Sequence, residues 1–162
     1  MASPVIRRRV RAFLFIVYCL FILSITLFCR TPNTRQIDLR LCWSYREMFA
    51  RSPNWKANVF QNIANILFFI PFGLLFPRGQ LFQNQPWSEK VKWGLKPVLL
   101  SALVFSVSIE TIQYIGALGM SELDDVICNT FGAVVGFWMR RVLSRCKHHL
   151  QKRYERGSII SK

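Results

Sequence analysis

Two stretches of 18 residues without a charge, 12–29 and 59–76, constrain this chain more than any other feature of it. At ~1.5 Å per residue, each makes a helix of about 27 Å, within the range that crosses the hydrocarbon of a bilayer. A third stretch, 97–118, carries a single charge, Glu110. A fourth, 126–139, is apolar for only 14 residues, about 21 Å of helix. To span, it must take in the turn at Asp124 and Asp125 or let Arg140 and Arg141 snorkel. These runs predict an all-α integral membrane bundle of four transmembrane helices. The spans are 12–29, 59–76, 97–118 and 122–139, between a basic N-terminus at 1–11 and a basic tail at 140–162. A basic start and one apolar run also describe a signal peptide. The bulky Leu27 and Phe28 before Cys29 offer no small-residue cleavage site, so the first run is expected to be retained.

The 22 Lys and Arg against 8 Asp and Glu give a formal charge of +14. In a soluble domain that balance points to nucleic acid. Four helices without polar faces exclude it, and the basic residues become topological anchors. With four spans, 16 of the basic residues fall on the side of the N-terminus, the 77–96 loop and the tail, and 6 on the other. Both termini are therefore expected to be cytoplasmic, with the tail along anionic headgroups. On the outer side, residues 37–43 alternate as a short extended or interfacial piece would. Trp43, Tyr45 and Trp55 suit a headgroup belt.

The five cysteines form no CxxC pair and sit near no histidine at metal spacing. Cys29 and Cys42 fall on one side and can pair. His148 and His149 lie in the basic tail, where solvation is their expected role. No metal or cofactor is predicted.

Polar residues within the spans are costly, so their placement is informative. At ~100° per residue, Asn58, Gln61, Asn62 and Asn65 share one arc of the second span. Ser106, Glu110 and Gln113 share a face of the third. Asp125, Asn129, Gly132 and Gly136 share a face of the fourth, while Asp124 points about 100° away. Helix rise puts Asn62 and Asn65 roughly 5–10 Å below the outer surface, Gln113 about 8 Å, Glu110 about 12 Å and Asn129 about 6 Å. The stripes therefore agree in depth as well as face. Gly132 and Gly136 form a small-xxx-small pair for close helix approach; Gly73 joins them as a packing residue, and Pro71 is expected to kink the second span.

Two readings of the stripes compete. In one, their hydrogen bonds only hold the bundle together. In the other, Asn62, Asn65, Glu110, Gln113, Asp125 and Asn129 line a polar cleft open to the outer leaflet. Intramembrane acids favour the second. The catalytic residues, if any, are not legible.

At these residues the chain resembles the VanZ-like family. The resemblance covers roughly residues 55–137 and rests on NIANILFFIPFG at 62–73, ETIQ at 110–113 and DDVICNTFGAVVG at 124–136. It implies a bacterial multi-pass protein of the cytoplasmic membrane, a role in the cell envelope and an association with teicoplanin-type glycopeptide resistance. The family often carries an arginine after the glycine of the last turn; here Met120 follows Gly119, which takes away any anion contact made there. On this reading the protein is a non-enzymatic binding or accessory protein. Its partners are the lipid bilayer and either a lipid-linked envelope precursor or another membrane protein. The alternative is a membrane enzyme using Glu110 and Asp125 as acid and base on a polyprenyl-linked or phospholipid substrate.

Overall fold

The computed structural model describes residues 4–28, 36–38, 40, 46, 49–50, 53, 55–77, 94–118 and 120–160. Cys29, Cys42, Trp43 and Tyr45 lie outside them, and with them the Cys29–Cys42 pairing and most of the aromatic belt. Four long helices make up the fold: α1 (Pro4–Phe28), α2 (Trp55–Leu75), α3 (Leu95–Ile115) and α4 (Leu123–Ile160). Each is long and apolar enough to cross a membrane. The 21 residues of α2 and of α3 give about 31 Å each, matching a ~30 Å hydrocarbon core. Phe13, Leu20, Phe60, Leu67, Val104, Ile115 and Phe131 are exposed on the outside of the bundle, where lipid chains meet them without penalty.

Two helices run beyond the expected spans. α1 begins at Pro4 and takes in the basic cluster 7–11, and α4 continues through the basic segment to Ile160. The short fourth apolar run is thereby accommodated, because its helix extends past it at both ends. Leu, Arg, Lys and Gln are good helix formers, and a charged helix leaving the bilayer loses nothing to water.

The 120–122 connection forms a strand. β1 (Gln36–Asp38) pairs in parallel with β2 (Met120–Glu122), with Gln36 opposite Met120 and Asp38 opposite Glu122. The pair joins the α1–α2 connection to the α3–α4 connection. Its approach is set by the end of α3. There Leu118 N–H donates to the Gln113 carbonyl (2.9 Å) and Ala117 N–H to that of Tyr114 (3.2 Å). This is a Schellman ending with Ala117, at φ 50°, in the left-handed position.

α2 and α4 run parallel. The sequence offset between partners is 64 residues at both ends of the contact, Gln61 with Asp125 and Phe76 with Arg140. Glycines allow the backbones to meet. A Cβ on Gly132 would overlap the carbonyl oxygen of Ile66, one on Gly136 that of Ile70, and one on Gly73 that of Ala133. α2 continues through Pro71 to Leu75. At the far end the Arg140 guanidinium donates to the Phe76 carbonyl at 2.7 Å, serving one of the acceptors a helix leaves open at its C-terminus.

The interior divides into two layers. Toward the tail end it is aromatic: Phe15 meets Phe72 edge-on at 4.9 Å and Phe76 at 5.6 Å, and Phe105 stacks on Phe72 at 5.6 Å. Val98, Ala102 and Ala133 fill the gaps between the rings. Toward the strand pair the interior is polar.

Candidate functional site

The polar layer is assembled from all four helices and the strand pair. Five of the serine and threonine hydroxyls find their partner within their own helix. Ser24, Thr26, Ser108, Thr111 and Thr130 return their O–H to carbonyls three or four residues earlier. The amides and carboxylates have no such local option and must find partners across the bundle.

Asp125 is 1% exposed. Its carboxylate accepts from Asn65 Nδ2 at 2.7 Å and Gln61 Nε2 at 3.1 Å, both on α2. The parallel offset explains this: Gln61 and Asn65 lie one turn apart and straddle the level at which α4 begins. Glu110, 6% exposed, is held differently. Its Oε2 accepts the backbone N–H of Glu122 at 3.1 Å, so the strand pair roofs the layer and is tied to α3 through this acid. Asn129 Nδ2 donates to Ser106 Oγ at 2.8 Å. Gln113 Nε2 donates to the Thr26 carbonyl at 3.0 Å, bringing α1 to the same level.

Three amides have atoms left over. Neither polar atom of Asn62 finds a hydrogen-bond partner among the described residues, nor do Gln113 Oε1 and Asn129 Oδ1. Their residues are 1%, 1% and 5% exposed. Such atoms carry the full cost of desolvation, so a buried layer holding several of them calls for an explanation.

Outside the spans, Asp38 is the acid of β1. Its Oδ1 accepts the Arg40 backbone N–H at 2.9 Å and Arg40 Nε at 2.9 Å. The Arg40 guanidinium, chiefly through these side-chain hydrogen bonds, holds the Asp38 carboxyl below the usual carboxylate range.

All six residues read from the sequence as a cleft are thus at one end of the bundle, five of them joined to a named partner. Asp124, about 100° off the stripe, is 2% exposed and so nearly as buried as Asp125. The 100° that takes it off the stripe does not take it out of the protein, because α3 and the strand pair also pack against the start of α4. Sequence reading put Gln61 and Ser106 on the polar stripes without including them in the cleft. It had no signal for the Glu122 N–H or the Thr26 carbonyl, since main-chain groups leave no mark in composition.

The family of the chain is decided by comparison. The VanZ/LLP1 family model matches residues 15–144, from within α1 to beyond the Arg140 contact. The chain belongs to the VanZ/LLP1 family. Protein VanZ of Enterococcus faecium is 35% identical over 103 residues, 64% of this chain and 56% of the relative. The chain thus spans a little over half the length of that relative. No solved structure matches it. The family match takes in every residue of the polar layer and all three glycines of the α2–α4 seam, so both belong to the VanZ/LLP1 part of the chain.

Proposed function

We propose that this VanZ/LLP1 protein works at the outer face of a bacterial cytoplasmic membrane. Its polar layer binds the headgroup of a lipid-linked envelope precursor, and its activity lowers susceptibility to teicoplanin-type glycopeptides. The observation that carries the reading is the buried polar layer itself. Three helices deliver amides and two acids to one level, and three of those amides keep hydrogen-bonding atoms to spare. Groups that only hold helices together are expected to satisfy one another. The 16-to-6 distribution of basic residues supports an outward position for this end. A cysteine placed at Ser121 in a cysteine-free background should accordingly react with an impermeant thiol reagent, and one at Ser158 should not.

A second reading, acid–base catalysis, draws on the unequal settings of the two carboxylates. Asp125 takes two side-chain amides, and Glu110 takes a main-chain N–H from β2. Carboxylates in different environments can divide the roles of acid and base.

The test expresses Glu110→Gln and Asp125→Asn at matched membrane levels and scores teicoplanin susceptibility. Both substitutions keep the size and much of the hydrogen bonding. Loss of protection with normal insertion and folding is the expected result; full protection in both variants overturns the reading.

A further inference from the structure

We propose that the part of α4 beyond the bundle docks an acidic amphipathic helix of a partner protein. This surface lies at the opposite end of the molecule from the polar layer and is independent of what that layer binds. Asp125, Asn129, Gly132 and Gly136 follow one another at spacings of four, three and four residues, the repeat that keeps one line of a helix against a neighbour. Along this line α4 meets α2 and α3. Met139, Leu143, Cys146 and Leu150 continue the same alternation. α2 ends at Leu75, and Arg140 marks that level by its bond to the Phe76 carbonyl. Past it the line stays apolar but loses its cover: Leu143 is 61% exposed, Leu150 is 67% exposed, and Cys146 is exposed. A helix in water owes most of its stability to the packing of such a face. α4 nevertheless continues as one helix to Ile160.

Charge and direction decide the occupant. Residues 140–150 hold Arg140, Arg141, Arg145 and Lys147 and no acid. Arg141 and Arg145 stand four residues apart, where like charges destabilise a helix, and Lys147 flanks the apolar line. The rest of the chain on this side of the membrane cannot neutralise them. Residues 1–11 carry Arg7, Arg8, Arg9 and Arg11 without an acid, and the 77–96 loop sets Glu89 against Arg78, Lys90, Lys92 and Lys96. A second copy brings the same positive charge. Anionic headgroups have the right sign but the wrong place. The unbroken axis of α4 carries Leu150 about 15 Å past Arg140, beyond the ~5–8 Å that headgroups occupy. A partner helix fits on both counts. Its own apolar residues at the same spacing seat in the line, and acids beside them meet the basic flanks.

The test is photo-crosslinking of the full chain in its own cells. A benzophenone amino acid replaces Leu143 or Leu150 on the line, or Ser144 off it, and the joined peptides are mapped by mass spectrometry after irradiation. Leu143 and Leu150 should give an adduct with the same protein, and Ser144 should not. The joined segment of that protein should carry apolar residues four and three apart with Asp or Glu beside them. Arg145→Glu together with Lys147→Glu should lower the adduct by about tenfold or more, and exchanging the partner's flanking acids for lysine should restore it. Arg145→Glu also removes the repulsion from Arg141, so a lost adduct does not reflect a lost helix. An adduct with a second copy, with residues 78–93 or with lipid alone overturns the proposal, as does the absence of any adduct. So does a protein adduct that maps to a segment without an excess of acid, or one that the charge reversal leaves unchanged.

Discussion

Glu122 donates its backbone N–H to Oε2 of Glu110 at 3.1 Å, so an acid within a membrane-spanning helix is fastened to a strand outside it. A hydrogen bond to a charged group contributes about 1.5–3 kcal/mol. Glu110→Ala should therefore speed hydrogen exchange at the Glu122 amide by roughly tenfold or more. Glu110→Gln keeps a carbonyl oxygen in place and should leave exchange close to the native rate. Equal exchange in all three proteins would detach the strand pair from this acid.

The glycines of the α2–α4 seam should tolerate nothing larger. At Gly132 and Gly136 an added Cβ meets the backbone carbonyls of Ile66 and Ile70, which cannot rotate away as a side chain can. Gly132→Ala and Gly136→Ala should each cost about 1–3 kcal/mol, the usual range for overpacking. Gly116→Ala is the control, because its Cβ would meet nothing closer than 3.2 Å. Unfolding midpoints in mixed micelles, with Gly116→Ala nearest to native, check the order.

Ala117 occupies the left-handed position that ends α3, at φ 50°. An L-residue there costs roughly 1–2 kcal/mol relative to glycine. Glycine gives part of that back through the greater freedom of the unfolded chain. Ala117→Gly should thus stabilise the protein by roughly 0.5–1 kcal/mol, read from the same midpoints.

Acid should loosen the strand pair. Asp38 has a lowered pKa in the folded protein, mainly from its side-chain bonds with Arg40. Its contribution to stability is therefore complete above the ordinary carboxylate pKa of about 3.9 and is lost as pH falls through the depressed value. Reactivity of a cysteine at Ser121 toward a thiosulfonate reagent, after correction for the reagent's own pH dependence, should rise below about pH 4. In Asp38→Asn it should already be high at pH 6 and change little on acidification.

The legible part of this fold was whatever a period or a length records. Two uncharged 18-residue runs announce α1 and α2. The 3.6-residue period sets Asn62 and Asn65 on one stripe and Asp125 and Asn129 on another. The alternation at 37–43 overlaps β1 at Ile37 and Asp38, but its pairing with β2 was hidden because the partners belong to different connections. The burial of Asp124 was not legible because a helical wheel describes one face of a cylinder, whereas the start of α4 is enclosed from several sides. The basic segment after Arg140 reads as a tail because charge marks topology more strongly than it marks helix.

The parallel seam between α2 and α4 has a consequence for how the protein is made. Gln61, Asn62 and Asn65 enter the membrane with α2, but the acid that takes two of their amides, Asp125, is encoded 60 to 64 residues later. At ~5–20 residues per second of translation, that interval is roughly 3–13 seconds. For that time the second span holds a polar stripe and an open glycine notch with its permanent neighbour still inside the ribosome. Whatever shields α2 during the wait, whether α1, the insertion machinery or retained water, must let go when α4 arrives. Assembly is therefore an exchange of partners, and its timing is written into the order of the spans.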